Sequence, residues 1–413
     1  MQKAAASFPH IPDPMAIIFV AITILIMAYS SLFSIIPILI FFAIWLPHFY
    51  YRRVFILRPS FDLFLTLALP FLACYSFFWS DYPGRSIYSG LEFVAMTICT
   101  ILIARLVTTM ALLKGISLGI AITMILTLMN GTYGKDLFTD GYALVGLFGS
   151  KNEVGFISEI GIFITLIILT AKRTRLEKLT FGFIPLVICA ACFYMSKSSS
   201  SYASLAFILV ATIAGWILTR LSKRSRPLAI SLGIFALFTV VTIILASGIN
   251  LQDKVLHGLG KDSTLTGRTY LWSEGIKVGQ ERPLLGHGYG AFWVAGQPQA
   301  EKYWHEFFIP NPTGFHFHNL YIQAFVDLGL AGLLTVCLLT LINCFLSLRR
   351  IIQQGMEPQY IFTLGLSVMF LIRAMVEVDW LGPFGFGTLL FFIILPILCS
   401  TQLSDTSQKE PNS

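Results

Sequence analysis

The sequence predicts an all-α, polytopic integral membrane protein with about 12 transmembrane helices. Three observations carry that class. Charged residues make up only 12% of the 413-residue chain, about half the share found in soluble globular proteins. Hydrophobic residues make up 56%, and the mean hydropathy is +0.78. The apolar residues stand in long runs, of the roughly 20 residues that a membrane-crossing helix needs. Barrel strands would instead alternate over roughly 10 residues. A water-soluble fold is excluded, and so is disorder, which needs low hydrophobicity and high charge.

Lys3, Pro9, Pro12 and Pro14 open the chain with no small-residue cleavage site before a polar mature region, so an uncleaved start is expected. Spans are expected at 15–30, 32–50, 61–79, 91–108, 115–130, 154–170, 179–195, 202–219, 228–247, 319–346, 360–378 and 384–400. Basic residues cluster in alternate short loops: Arg52, Arg53 and Arg58; Arg105 and Lys114; Lys172, Arg173, Arg175 and Lys178; Arg220, Lys223, Arg224 and Arg226; Arg349 and Arg350. The positive-inside rule makes that side cytoplasmic and places both termini there. The opposite short loops hold only Arg85, Lys135, Lys151 and Lys197. The rule also accounts for the net charge of +7, so no nucleic-acid partner is implied.

Residues 1–247 are thus expected to hold spans one to nine, and 319–400 spans ten to twelve. Residues 248–318 form a long external loop, and 401–413 a disordered cytoplasmic tail. The seven cysteines all fall in apolar runs, which suggests neither disulfides nor thiolate metal sites. Cys189-x-x-Cys192 reads as a pair of buried small hydrophobes.

The external loop carries five of the seven histidines: His257, His287, His305, His316 and His318. Its aromatic residues, among them Trp293, Tyr303, Trp304, Phe315 and Phe317, are wrong for disorder. An ordered cap at the membrane interface is expected.

Three constellations there can carry chemistry. The first starts at Leu265-Thr266-Gly267-Arg268, with Thr266 a suitable N-cap for a short amphipathic helix. Arg268 and Trp272 would share a face. A cation in a first helical turn opposes the macrodipole, and a bound anion reverses that penalty. Pairing of Arg268 with Asp262 or Glu274 is the bland alternative.

The second is His316-Phe317-His318-Asn319, where the loop re-enters the membrane. Asn319, Gln323 and Asp327 follow at helical spacing and give the tenth span a polar stripe, a functional candidate by default. Gly329 and Gly332 permit close helix approach. His316 and His318 with His305 or His287 match no zinc motif, so no metal and no cofactor is expected.

The third comprises external cations: Arg85, Lys151 beside Asn152, and Lys197. A shared anionic ligand would explain them, and ordinary solvation is the alternative. Arg373 and Glu377, four apart, have the spacing to pair with each other. The Gly286–Gly290 run lacks a βαβ setting and is no dinucleotide site.

These features together resemble the O-antigen ligase and polysaccharide polymerase superfamily, most closely its exopolysaccharide-polymerising branch. The resemblance rests on Leu265-Thr266-Gly267-Arg268, on Arg282-Pro283-Leu284-Leu285-Gly286-His287-Gly288, and on His318-Asn319 followed by Gly329 and Gly332. Trp79-Ser80-Asp81-Tyr82-Pro83 and Lys151-Asn152 add to it. It implies a GT-C-like, multi-span membrane glycosyltransferase of the bacterial inner membrane, metal-independent and inverting, whose site faces the periplasm. The implied donor is an undecaprenyl-diphosphate-linked oligosaccharide, and the implied acceptor is a sugar hydroxyl on a lipid-linked repeat unit or on lipid A–core. Membrane lipids and polysaccharide export and chain-length proteins are the other implied partners. By that resemblance Arg268 binds diphosphate, assisted by Lys197 and Lys151, and His318 activates the acceptor. Asn152, Arg85 and Asn319 complete the expected substrate-binding set. Many relatives carry Arg where Lys197 stands, and Lys lacks the bidentate fork. A polymerase is the favoured reading. A ligase acting on lipid A–core and, from another class, a lipid-linked sugar flippase remain open.

Overall fold

The computed structural model describes residues 10–30, 32–33, 35–56, 60–135, 141–233, 239, 267–309 and 315–400. Much of the ninth expected span, residues 248–266 of the expected external loop (including His257, Asp262 and Thr266) and the tail at 401–413 lie outside them. The described chain is almost wholly helical. Six helices are long and apolar enough to cross a membrane: α4 (Pro83–Leu106), α5 (Thr109–Asn130), α6 (Lys151–Thr170), α7 (Arg175–Ser196), α8 (Ser199–Arg220) and α11 (Leu320–Gln354). Shorter apolar helices are α1 (Asp13–Ala28), α2 (Ile36–Ile56), α3 (Phe61–Tyr75), α12 (Pro358–Arg373) and the end-to-end pair α13 (Phe386–Phe392) and α14 (Ile394–Ser400). Residues 225–233 are also helical. The chain is an integral membrane protein.

The helices pack mainly on close neighbours: α1 on α5, α3 on α4, α6 on α7, and α12 on both α8 and α11. Small residues set the closest approach. A Cβ added at Gly115 or Gly119 of α5 would lie 2.6 or 2.7 Å from Val20 or Ile24 of α1. The two glycines, four apart, form the flat strip that lets helices meet where lipid offers no hydrophobic contrast. One departure from an all-α reading is the hairpin of β1 (Tyr133–Lys135) and β2 (Tyr142–Leu144), paired antiparallel.

The segment ahead of α11, expected to be external, is structured where it is described. It contributes α9 (Arg268–Glu281) and α10 (Pro298–Glu306). A separate apolar core holds them: Leu271 and Val278 of α9, Phe292, Tyr303 and Phe317, closed from below by Val326 of α11. Trp293 packs edge-on to Phe315 at 4.9 Å. Aromatic burial of this kind explains why a loop this long holds a shape. Cys189 and Cys192 are free thiols, fully buried.

Helix α12 ends at Arg373, short of the expected span end at 378. Glu377 and Asp379 therefore lie in the connection beyond the helix.

Candidate active site

The site begins with a break in α11. Gly329 has φ +62 and ψ −155, a conformation L side chains rarely adopt. Residues 283–288 lie in the opened groove. His287 N–H donates to Val326 O at 2.9 Å, Gly288 N–H to Asp327 O at 2.9 Å, and Leu330 N–H to Pro283 O at 2.8 Å. A Cβ on Gly329 would lie 2.4 Å from the Leu284 backbone, and one on Gly286 would lie 2.6 Å from the Asp327 backbone. The sequence reading expected Gly329 to admit a neighbouring helix. What approaches is this loop, because the freed backbone groups of the broken helix need partners.

The motif at 79–83 clamps the loop from its other side. Trp79 Nε1–H donates to Leu285 O at 2.8 Å. Asp81 bonds Arg282 Nη2 at 2.7 Å and His287 Nδ1 at 2.8 Å. The motifs at 79–83 and 282–288 thus form one structural unit.

Glu377 is the hub beside this platform. Its Oε1 accepts from Arg268 Nη2 at 2.9 Å and from Asn152 Nδ2 at 3.0 Å. Its Oε2 lies 3.2 Å from His318 Nδ1. Arg268 also donates to Val376 O at 2.6 Å. Burial would push the Glu377 carboxyl upward, but Arg268 first, and then His318 and His316, outweigh it and hold the group well below the usual carboxylate range. Arg268 stands at the first position of α9, and Gly267 before it, with φ +79, is the N-cap. That corrects the expectation of Thr266. Arg268 takes Glu377, and not Glu274, which bonds Lys277 and Tyr303. Trp272, on the same face, donates to Phe317 O at 2.9 Å and anchors the strand before His318.

His318 has φ +51. Its N–H donates to His316 Nδ1 at 3.0 Å. Burial foremost, with His318 and Arg268 nearby, pushes His316 down to about 3. A carboxylate on Nδ1 of His318 favours the tautomer that leaves Nε2 as a free acceptor. Asn319 caps α11 through Tyr321 and Ile322 N–H and donates to Met375 O at 3.0 Å. It holds the backbone on both sides of the hub.

A second charge network lies beneath. Arg373 makes a bidentate pair with Asp379 at 2.6 and 3.0 Å, donates to Ser201 Oγ at 3.1 Å, and lies 3.7 Å from Glu159. The side-chain pair that spacing suggested between Arg373 and Glu377 does not form, because the Arg373 guanidinium is taken by Asp379 and the Glu377 carboxylate turns toward Arg268. The networks meet through serines: Ser198 Oγ donates to Asn152 Oδ1 at 3.2 Å and lies 3.1 Å from Ser201 Oγ, which can donate to it.

The expected cations divide. Lys197 caps α7 with φ +47 and is exposed, one residue from Ser198. Lys151 opens α6 beside Asn152. Arg85 is exposed in the first turn of α4, and no hydrogen bond ties it to the Glu377 hub among the described residues. Glu377 was noted from the sequence only as a partner for Arg373, not as a site residue. An acidic residue at an expected membrane edge was the available signal. Among the described residues His316, His318 and Glu377 also present three possible metal-ligand atoms within 4.8 Å of one another.

The site gathers an arginine, a histidine and a carboxylate on a polytopic membrane scaffold. The O-antigen ligase family pattern matches residues 184–337. The chain belongs to the O-antigen ligase and polysaccharide polymerase family. It is 32% identical over 398 residues to the exopolysaccharide production protein ExoQ of Rhizobium meliloti (strain 1021), covering 95% of this chain and 90% of that relative.

Proposed function

We propose that this chain is a membrane glycosyltransferase that polymerises undecaprenyl-diphosphate-linked oligosaccharide repeat units on the periplasmic face. The observation that carries the reading is the shared contact of Arg268 and His318 with one carboxylate, Glu377, at 2.9 and 3.2 Å. A phosphate-binding group and a proton acceptor are thereby held side by side.

On this reading the donor diphosphate meets Arg268, with Lys197 and Lys151 at the rim. His318 Nε2 takes the proton of the acceptor hydroxyl as that oxygen bonds to the anomeric carbon. The bond from that carbon to the diphosphate oxygen breaks on the opposite face, so configuration inverts. Charge developing on the departing diphosphate falls where a fixed cation already stands. A general base of this kind contributes roughly 10²–10⁴-fold. Glu377 already carries the Arg268 charge, so a dication there would have to displace the guanidinium. This supports a metal-independent route. About twelve spans, a periplasmic 248–318 segment and cytoplasmic termini complete the proposal.

The relative's printed name concerns exopolysaccharide production, which favours polymerisation. The matched family's description, an O-antigen ligase, favours transfer to lipid A–core as the second reading. Purified protein given a lipid-linked repeat unit tests both. Longer chains support the polymerase, and transfer only onto lipid A–core supports the ligase. Flipping without a new glycosidic bond overturns both. Arg268→Ala and His318→Ala should each abolish product in folded protein, and a chelator should leave the rate unchanged.

A further inference from the structure

A groove of about 810 Å³ opens between α6, α8 and α12. Its walls are apolar, built by Phe163 and Ile167 of α6, Ile213 and Trp216 of α8, and Ile361 of α12. Its mouth is not. Lys172 and Arg173 line it, both exposed and without a hydrogen bond or ion pair among the described residues. The N-terminus of α12 also reaches the mouth at Pro358, and that helix has no side-chain cap. Pro358 has no N–H and Tyr360 N–H donates to Glu357 O, so the Gln359 N–H and the helix dipole are what favour an anion there. Arg220 lies outside the lining, its guanidinium 5.4 Å from the ring of Trp216, which does line the groove. The opposing charge is small. Glu357 lines the mouth, whereas nearby Glu177 is already paired with Lys114 and closes a capping box with Thr174.

We propose that this groove binds one anionic phospholipid, its acyl chain along the apolar walls and its phosphate at Lys172, Arg173 and the start of α12. The inference goes beyond the glycosyltransferase reading and does not depend on it. A molecule that combines a hydrocarbon chain with a fixed negative charge matches both halves of the groove. Basic pockets between membrane helices take anionic headgroups for this reason. The lipid is distinct from the proposed donor. Helix α6 starts beside Glu377 at Asn152 and ends at Thr170 in the groove. Its 20 residues span about 30 Å at 1.5 Å per residue. A diphosphate held by Arg268 cannot reach Lys172.

Native mass spectrometry of the detergent-purified full chain tests the proposal. It is titrated with phosphatidylglycerol or with phosphatidylcholine of the same acyl composition. Wild type should prefer phosphatidylglycerol by on the order of tenfold or more. The double variant Lys172→Gln/Arg173→Gln should lose that preference with its lipid-free thermal midpoint unchanged. Ile213→Trp, which fills the groove, should weaken both lipids alike. Equal affinity of wild type for the two lipids would overturn the proposal. So would an undiminished preference in the double variant, or displacement of phosphatidylglycerol by equimolar decaprenyl phosphate.

Discussion

Glu377→Gln is the perturbation that most directly tests the hub. It preserves shape and removes one charge. Glu377 is 6% exposed, and its two oxygens serve Arg268 at 2.9 Å and His318 at 3.2 Å. Removing one partner of a buried pair costs about 3–5 kcal/mol. The Gln oxygen still accepts from one neighbour, so the lower end, about 3 kcal/mol, is expected here. The loss should follow pH. The folded carboxyl titrates below its unfolded value of about 4.3, so its stabilisation is present above that pH and is lost as pH falls toward the folded value. The variant should lack this dependence. Catalytically, His318 loses the carboxylate that holds its Nδ1 proton, and turnover should fall by about 10²-fold or more. The donor KM should not rise, because Arg268 keeps its bond to Val376 O. Initial rates of chain elongation at varied donor, with thermal unfolding of the same preparations, give all three quantities. A variant with wild-type kcat and wild-type thermal midpoint would refute the hub.

Two further perturbations address the platform and the second histidine. Gly329→Ala places a Cβ 2.4 Å from the Leu284 backbone at φ +62; it should destabilise the protein by at least about 1–3 kcal/mol and lower activity, seen as a lower thermal midpoint, whereas an unchanged midpoint would remove the docking argument. His316 stays neutral in the folded state down to about pH 3, while the unfolded chain takes up its proton near pH 6.5; stability should therefore decline from about pH 6.5 toward 3, and His316→Gln should flatten that slope in thermal unfolding measured across the range.

Membrane class and helix positions were legible in the sequence because apolar runs of sufficient length have one stable outcome in lipid. The expected spans at 154–170 and 202–219, for example, lie inside Lys151–Thr170 and Ser199–Arg220. Arg268 and His318 stood out for a similar local reason: each is a polar group where the surroundings oppose it, one in a first helical turn and one at a membrane edge. Asn152 was noted as well, though its partner was not.

Glu377 shows where local reasoning stops. Spacing alone paired it with Arg373. The backbone does turn there, with Glu377 N–H donating to Arg373 O at 2.8 Å, but the Glu377 carboxylate reaches residues 109 and 59 positions away. Likewise Gly329 was read only as admitting a neighbouring helix and Gly286 only as part of a family motif, and nothing local showed that the two face each other. Hydropathy and helical spacing report on a residue's immediate neighbours along the chain, and these determined the membrane architecture. Which charges meet across it depends on where distant segments dock, and only tertiary packing decided that.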